Sequence, residues 1–86
     1  MGVYDTISVK SIKHKNFKQE HNGLEFQTKD LEPNFNEFTI DKNHLHFKNN
    51  ILEYSGDLDL ISYHNNEFIE YRISFYLGQI TDVEQI

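Results

Sequence analysis

Apolar and polar positions alternate along most of this chain, most clearly over residues 67–78, EFIEYRISFYLG. Ile69, Tyr71, Ile73, Phe75 and Leu77 fall on one parity, and Phe68, Glu70, Arg72, Ser74 and Tyr76 on the other. Strand side chains point alternately to opposite faces, so this stretch predicts a long β-strand with one buried and one partly wet face. A helical period scatters the same residues around the cylinder.

The rest of the chain reads in the same period. Residues 3–9 alternate Val3, Asp5, Ile7 and Val9 against Tyr4, Thr6 and Ser8, an early strand. Residues 10–18 are basic and polar, with Ile12 and Phe17 as their large apolar side chains, and periodicity does not decide between twisted strand and loop. His21-Asn22-Gly23 is the strongest turn signal and predicts a type I′ hairpin joining residues 17–21 to 24–28. Residues 29–36 hold the one Pro and predict a loop or a short helix near 30–36. Short strands follow at 37–40 and 44–48, separated by Asp41-Lys42-Asn43. Another occupies 51–55 after Asn49-Asn50, and one more, from 57 to 63, follows a bend at Gly56. In that last one Leu58, Leu60 and Ser62 oppose Asp57, Asp59, Ile61 and Tyr63, and His64-Asn65-Asn66 turns into the long strand. Gly78 ends or bulges it, and residues 80–83 continue it or pair at an edge. The expected fold is all-β, or β-rich with one short helix: a single domain over 1–86, an antiparallel meander of about seven strands curled into a small barrel or sandwich.

Composition sharpens this. Apolar residues make up 37%, below the roughly 45–50% usual for globular domains, and Phe, Tyr, Ile and Leu supply the burial in a chain without Ala. Such a core suits strands better than a helix bundle. There is no Cys, which excludes disulfides and thiolate metal sites. No window has the length of an apolar membrane span or the form of a signal peptide, so a cytoplasmic protein with no membrane partner is expected. The net charge of −6 argues against broad nucleic-acid binding. Lys10, Lys13, Lys15, Lys18 and Lys29 cluster early, whereas from Asp30 onward Lys42, Lys48 and Arg72 face eleven carboxylates.

Three constellations could carry chemistry. His44 and His46, two apart on a strand, would project from one face about 7 Å apart, a spacing that metal ligands use; a solvated polar face opposite Leu45 and Phe47 explains them more simply. Asp57 and Asp59, with Glu53 and Glu67, make an acidic row suited to acid–base work or a divalent cation, or simply the wet face of a strand. Lys10, Lys13, Lys15 and Lys18 could bind phosphates with Phe17 stacked on a base, against the plainer reading of a solvated basic loop. No nucleophile elbow or phosphate-cradling Gly-rich loop occurs.

The opening Met1-Gly2-Val3-Tyr4-Asp5-Thr6 and the segment Leu24-Glu25-Phe26-Gln27-Thr28-Lys29-Asp30-Leu31 resemble a group of small phage-encoded proteins. Those proteins begin M-G-x-Y-D-T and carry an E-F-Q-T-K-D-L-like segment. Their closing aromatic strand, with Glu-Tyr and a following Gly, is similar to Glu70-Tyr71 through Gly78 here. Many members carry a Cys-x-x-Cys zinc knuckle between the two opening motifs. Residues 10–22 lack Cys, so that site does not carry over. The resemblance implies a phage accessory protein and no particular reaction.

The resulting expectation is a non-catalytic accessory protein, without cofactor, that binds another protein, in particular a host defence or takeover factor. Phe68, Glu70, Arg72, Tyr76, Asp57 and Asp59 are the expected contact residues. Three rivals stand beside it: a nucleic-acid or nucleotide-binding module using Lys10, Lys13, Lys15 and Lys18; a metal-binding protein or enzyme at His44 and His46; and a homo-oligomer in which the long strand pairs with its own copy.

Overall fold

The computed structural model describes residues 4–31 and 36–86. Eight strands lie within them: β1 (Asp5–Val9), β2 (Glu25–Thr28), β3 (Glu37–Asp41), β4 (His44–Phe47), β5 (Asn50–Ile51), β6 (Gly56–His64), β7 (Glu67–Tyr76) and β8 (Gln79–Gln85). Their hydrogen-bonded order β3-β1-β2-β6-β7-β8-β4 closes through a β3–β4 pairing, so seven strands form a barrel and β5 is a short addition to β4. The all-β small barrel is therefore the fold. The helix expected near 30–36 falls mostly on residues 32–35, outside those described; the helical turn among the described residues is a 3-10 turn at Gln19–His21.

The barrel is filled by the parity that the sequence marks as apolar. Ile7, Val9, Phe26, Phe38, Ile40, Leu45, Leu58, Leu60, Ile69, Tyr71, Ile73 and Phe75 are all buried inside one chain. Leu77 departs from the pattern and is 49% exposed. The strand stops at Tyr76, and Leu77 sits in a left-handed turn (φ 49°) where strand alternation no longer applies.

Two-residue turns set the register of the hairpins. Lys42-Asn43, Lys48-Asn49, Asn65-Asn66 and Leu77-Gly78 each have positive φ at both residues, the type I′ pattern whose twist matches that of paired strands. The Asn side chains explain why this conformation is accessible. At Gly78 (φ 86°) space matters too, because a Cβ there would overlap the Leu52 carbonyl oxygen.

The meander holds for β6-β7-β8 and β3-β4-β5 but breaks at β1. That strand pairs antiparallel with β2 and parallel with β3, in register Ile7↔Phe26 and Ile7↔Phe38. Alternation assigns each residue a face and says nothing about the neighbour across the ladder, so a parallel pair reached by a crossover leaves no mark in the pattern.

Residues 17–21 form no strand. Asn22 (φ −66°, ψ 140°) and Gly23 (φ 93°) make a type II turn closed by Leu24 N–H donating to the His21 carbonyl, and β2 turns instead to β1. The stretch between β1 and β2 is a loop folded against the barrel. Ile12 and Phe17 are buried, and the centre of the Phe17 ring lies 4.6 Å from that of Tyr71. Polar side chains secure its ends: Asn22 Oδ1 accepts from Ile12 N–H (2.9 Å), and Asn43 Oδ1 accepts from Lys13 N–H (2.7 Å). The Tyr71 hydroxyl accepts from Lys18 N–H (3.2 Å) and lies 2.7 Å from His21 Nδ1. Burial raises the Tyr71 pKa above its ordinary value; the Lys18 amide opposes this and Glu20 adds to it.

Two strips of wall are thin. β2 meets β6 at a single pair, Gln27↔Ile61, and β8 meets β4 at a single pair, His44↔Gln79, among the described residues. Side chains extend the first joint in both directions: Ser62 Oγ donates to the Glu25 carbonyl (2.7 Å), and Asp59 N–H donates to Asp30 Oδ2 (2.6 Å).

Candidate functional site

The outer face of β6, β7 and β8 gathers all six expected contact residues, because the hairpin registers line them up in rows. Asp59 stands beside Arg72 and Arg72 beside Glu84; Asp57 stands beside Ser74 and Ser74 beside Asp82. Arg72 Nε donates to Asp59 Oδ1 (2.9 Å), its Nη1 lies 3.9 Å from Glu84 Oε1, and Ser74 Oγ donates to Asp57 Oδ1 (2.7 Å). The bond to Asp59, reinforced by its charge, pushes the Arg72 pKa further up. Asp57 and Asp59 thus belong to a cross-strand ionic ladder. Glu53 and Glu67 stand apart from it: Glu67 lies opposite His64 at the hairpin tip, and Glu53 lies near Tyr76.

Aromatic side chains flank this ladder. At the hairpin tip the Asn65-Asn66 turn puts Tyr63 opposite Phe68, with ring centres 5.3 Å apart and 77% and 51% exposed. Ile61, next along β6, is also exposed and stands beside Glu70. At the far end Tyr76 (64% exposed) joins Leu77, Ile51 and His44 around a shallow depression. Exposed rings at both ends of a charged strip resemble the arrangement of protein contact surfaces, where aromatics and Arg carry most of the binding energy. The sequence expectation named Phe68 and Tyr76 but passed over Tyr63 and Ile61. The signal was available: both share the parity of Asp57 and Asp59, and a two-residue turn at 65–66 forces position 63 against 68.

A groove of about 400 Å³ runs beside the tip, across the thin β2–β6 joint, lined by Tyr4, Glu25, Gln27, Ile61, Tyr63 and Phe68. A second depression continues it past Tyr4 and Ile61 to Lys29, Asp30 and Asp59. Near its far end the Tyr54 hydroxyl donates to the Asp57 carbonyl (3.2 Å), and its pKa is raised by burial first, then by Asp30 and Asp57.

The other constellations separate. Lys10, Lys13, Lys15 and Lys18 are exposed, but Phe17 is buried against Tyr71 and presents no face for a base to stack on. Lys15 and Lys18 share a depression with Asp82 and Glu84 of β8, and Asn16 Nδ2 donates to the Val83 carbonyl (3.0 Å), so the basic loop lies against acidic strand residues. The charge segregation along the sequence is folded together in space. His44 and His46 are both half-buried on β4, with His44 Nδ1 donating to the Lys42 carbonyl (2.9 Å). Among the described residues no group of three or more His, Asp or Glu side chains is placed to hold a metal ion. β7 has β6 along one edge and β8 along the other, so it offers no free edge to a second copy of the chain. No helix among the described residues is long and apolar enough to cross a membrane. Comparison with known protein families, curated proteins and solved structures gives no match.

Proposed function

We propose that this protein is a non-catalytic binding module whose outer β6–β8 face docks on another protein. The biological setting proposed is that of a phage accessory protein acting on a host factor in the cytoplasm of an infected cell. The observation that carries the binding reading is the pairing of exposed aromatics with an ordered ionic strip. Tyr63, Phe68 and Tyr76 stay largely in water although they sit on the most regular hairpin of the barrel, next to Arg72 held between Asp59 and Glu84. Exposed rings on rigid strands lose little conformational entropy on contact, which suits them to anchoring a partner.

The test is site-specific photo-crosslinking in host cells, with a photoreactive phenylalanine derivative in place of Phe68, of Tyr76 or, as control, of the exposed Glu20. Discrete adducts with one other protein from the first two positions, absent from the third, are expected. Self-adducts alone, or equal labelling from all three positions, would refute the reading.

A further inference from the structure

We propose that Asn22 is a deamidation site that the fold holds closed, reached only when the loop between β1 and β2 lifts from the barrel, and that its conversion leaves this loop unable to close as before. Asn22-Gly23 is the one Asn-Gly pair in the chain. In a flexible segment the backbone nitrogen that follows an Asn attacks the side-chain Cγ and expels ammonia, its own proton leaving with the ammonia. The five-membered succinimide that forms takes up water at either carbonyl, giving Asp or the isomer whose main chain runs through the former side chain. Gly speeds the ring closure because it has no Cβ to crowd the nitrogen.

Each reacting group is held out of place here. The nucleophile, Gly23 N–H, donates to the Val9 carbonyl (2.7 Å). The target amide is half-buried and bonded at both ends: Oδ1 accepts from Ile12 N–H (2.9 Å), and Nδ2 donates to Gln19 Oε1 (3.0 Å) and to the Ile12 carbonyl (3.5 Å). The ring also needs Asn22 Cβ and the Gly23 nitrogen nearly eclipsed about the Cα–C bond, whereas a ψ of 140° turns them close to a right angle. Backbone rotation, release of the side chain and loss of the Val9 bond must therefore coincide, which opening of the loop provides. Conversion then works against closure. A carboxylate in place of the amide sets oxygen against the Ile12 carbonyl and Gln19 Oε1, and the isomer adds a main-chain atom to the type II turn. The same loop packs Phe17 and His21 on Tyr71, so the modification loosens the packing around that ring.

The test follows the tryptic peptide over residues 19–29, in which Asn22 is the one Asn, by mass spectrometry during incubation of the full chain at neutral pH. Conversion in buffer should run about tenfold or more slower than in denaturing urea, and the Gly23 amide should be protected from hydrogen exchange. Urea below the unfolding transition should leave the slow rate unchanged, since local opening exposes little surface. Tyr71→Phe, which removes the hydroxyl bonded to His21 and Lys18, should raise the rate in buffer several-fold and leave the rate in denaturing urea as it was. Chain deamidated in urea and returned to buffer should exchange its Gly23 amide faster than unmodified chain taken through the same cycle. Conversion in buffer within about twofold of that in denaturing urea would show that the fold does not guard Asn22. A rate that climbs steeply through low urea would put global unfolding in place of loop opening. Equal Gly23 exchange before and after modification would remove the effect on closure. Any of these three results overturns the inference.

Discussion

Replacing Tyr71 by Phe removes one oxygen atom from the middle of the structure and leaves the ring in place. That oxygen accepts from Lys18 N–H and bonds His21 Nδ1 while fully shielded from water. Each such bond contributes about 1 kcal/mol net, and leaving a buried partner unsatisfied costs about 1–3 kcal/mol. His21 is buried, so its ring nitrogen cannot recover the bond from bulk water. The amide of Lys18 lies nearer the surface and recovers part of its loss. The sum is about 2–4 kcal/mol, a large share of the roughly 5–15 kcal/mol that holds a small domain together. Urea unfolding followed by circular dichroism should show a lower midpoint with an unchanged slope, and the thermal midpoint should fall by about 10 °C or more. Tyr76→Phe, on the exposed end of the same strand, should stay within about 0.5 kcal/mol of the parent. A double-mutant cycle with His21→Leu isolates the pair, for which a coupling of about 1 kcal/mol is expected. A loss below about 0.5 kcal/mol for Tyr71→Phe, or zero coupling, would show that the hydroxyl does not fasten the loop to the barrel.

Other perturbations follow the same physics. The raised Tyr71 pKa means that the folded state holds the phenolic proton more tightly than the unfolded chain does. Its contribution is complete below the ordinary Tyr value of 10.0 and is lost as pH rises through the folded value, so stability should decline above about pH 10, less steeply in Tyr71→Phe. Gly78→Ala combines a positive φ with a collision at the Leu52 carbonyl and should cost more than Gly23→Ala, where the added Cβ meets open space; chemical denaturation of both variants gives the comparison. Asp30→Ala should speed hydrogen exchange at the Asp59 amide, whereas Asp30→Asn, which keeps an acceptor, should not. Arg72→Ala should leave the urea midpoint nearly unchanged, because its ion pairs are exposed to solvent.

What the sequence made legible is what period two encodes. Parity placed Ile69, Tyr71, Ile73 and Phe75 inside and Phe68, Glu70, Arg72 and Tyr76 outside, and Asn-rich dipeptides located the tight turns. It failed where the outcome depended on partners remote in sequence. The parallel β1–β3 pair, the folding of the basic loop onto β8, and the use of Phe17 as an internal plug all arise from contacts that local pattern does not record. His21 shows the same limit: the sequence offers it as a turn residue or as a further ligand beside His44 and His46, and its bond to Tyr71 spans 50 residues. The candidate site was half visible, because Phe68 and Tyr76 stood out as aromatics on a polar parity. The groove beside them needs the β2–β6 joint, which one residue pair defines.

The two thin strips of wall divide the barrel into a sheet of β1 to β5 and a sheet of β6 to β8, joined through residues 52–55, by one ladder pair at each border among the described residues, and by side-chain bonds such as those of Ser62 to Glu25, Asp59 to Asp30 and Asn16 to Val83. Beside those bonds the halves meet through apolar faces: Leu58, Leu60, Tyr71 and Ile73 on one side, Ile7, Phe26, Ile40 and Leu45 on the other. Because β6, β7 and β8 are contiguous in the chain, the β6–β7 and β7–β8 ladders use no residue of the first half. The polypeptide is in this sense already a two-piece assembly on a short tether. Cut between residues 52 and 55, it would make a split reporter whose fragments recombine through buried surface rather than through strand exchange.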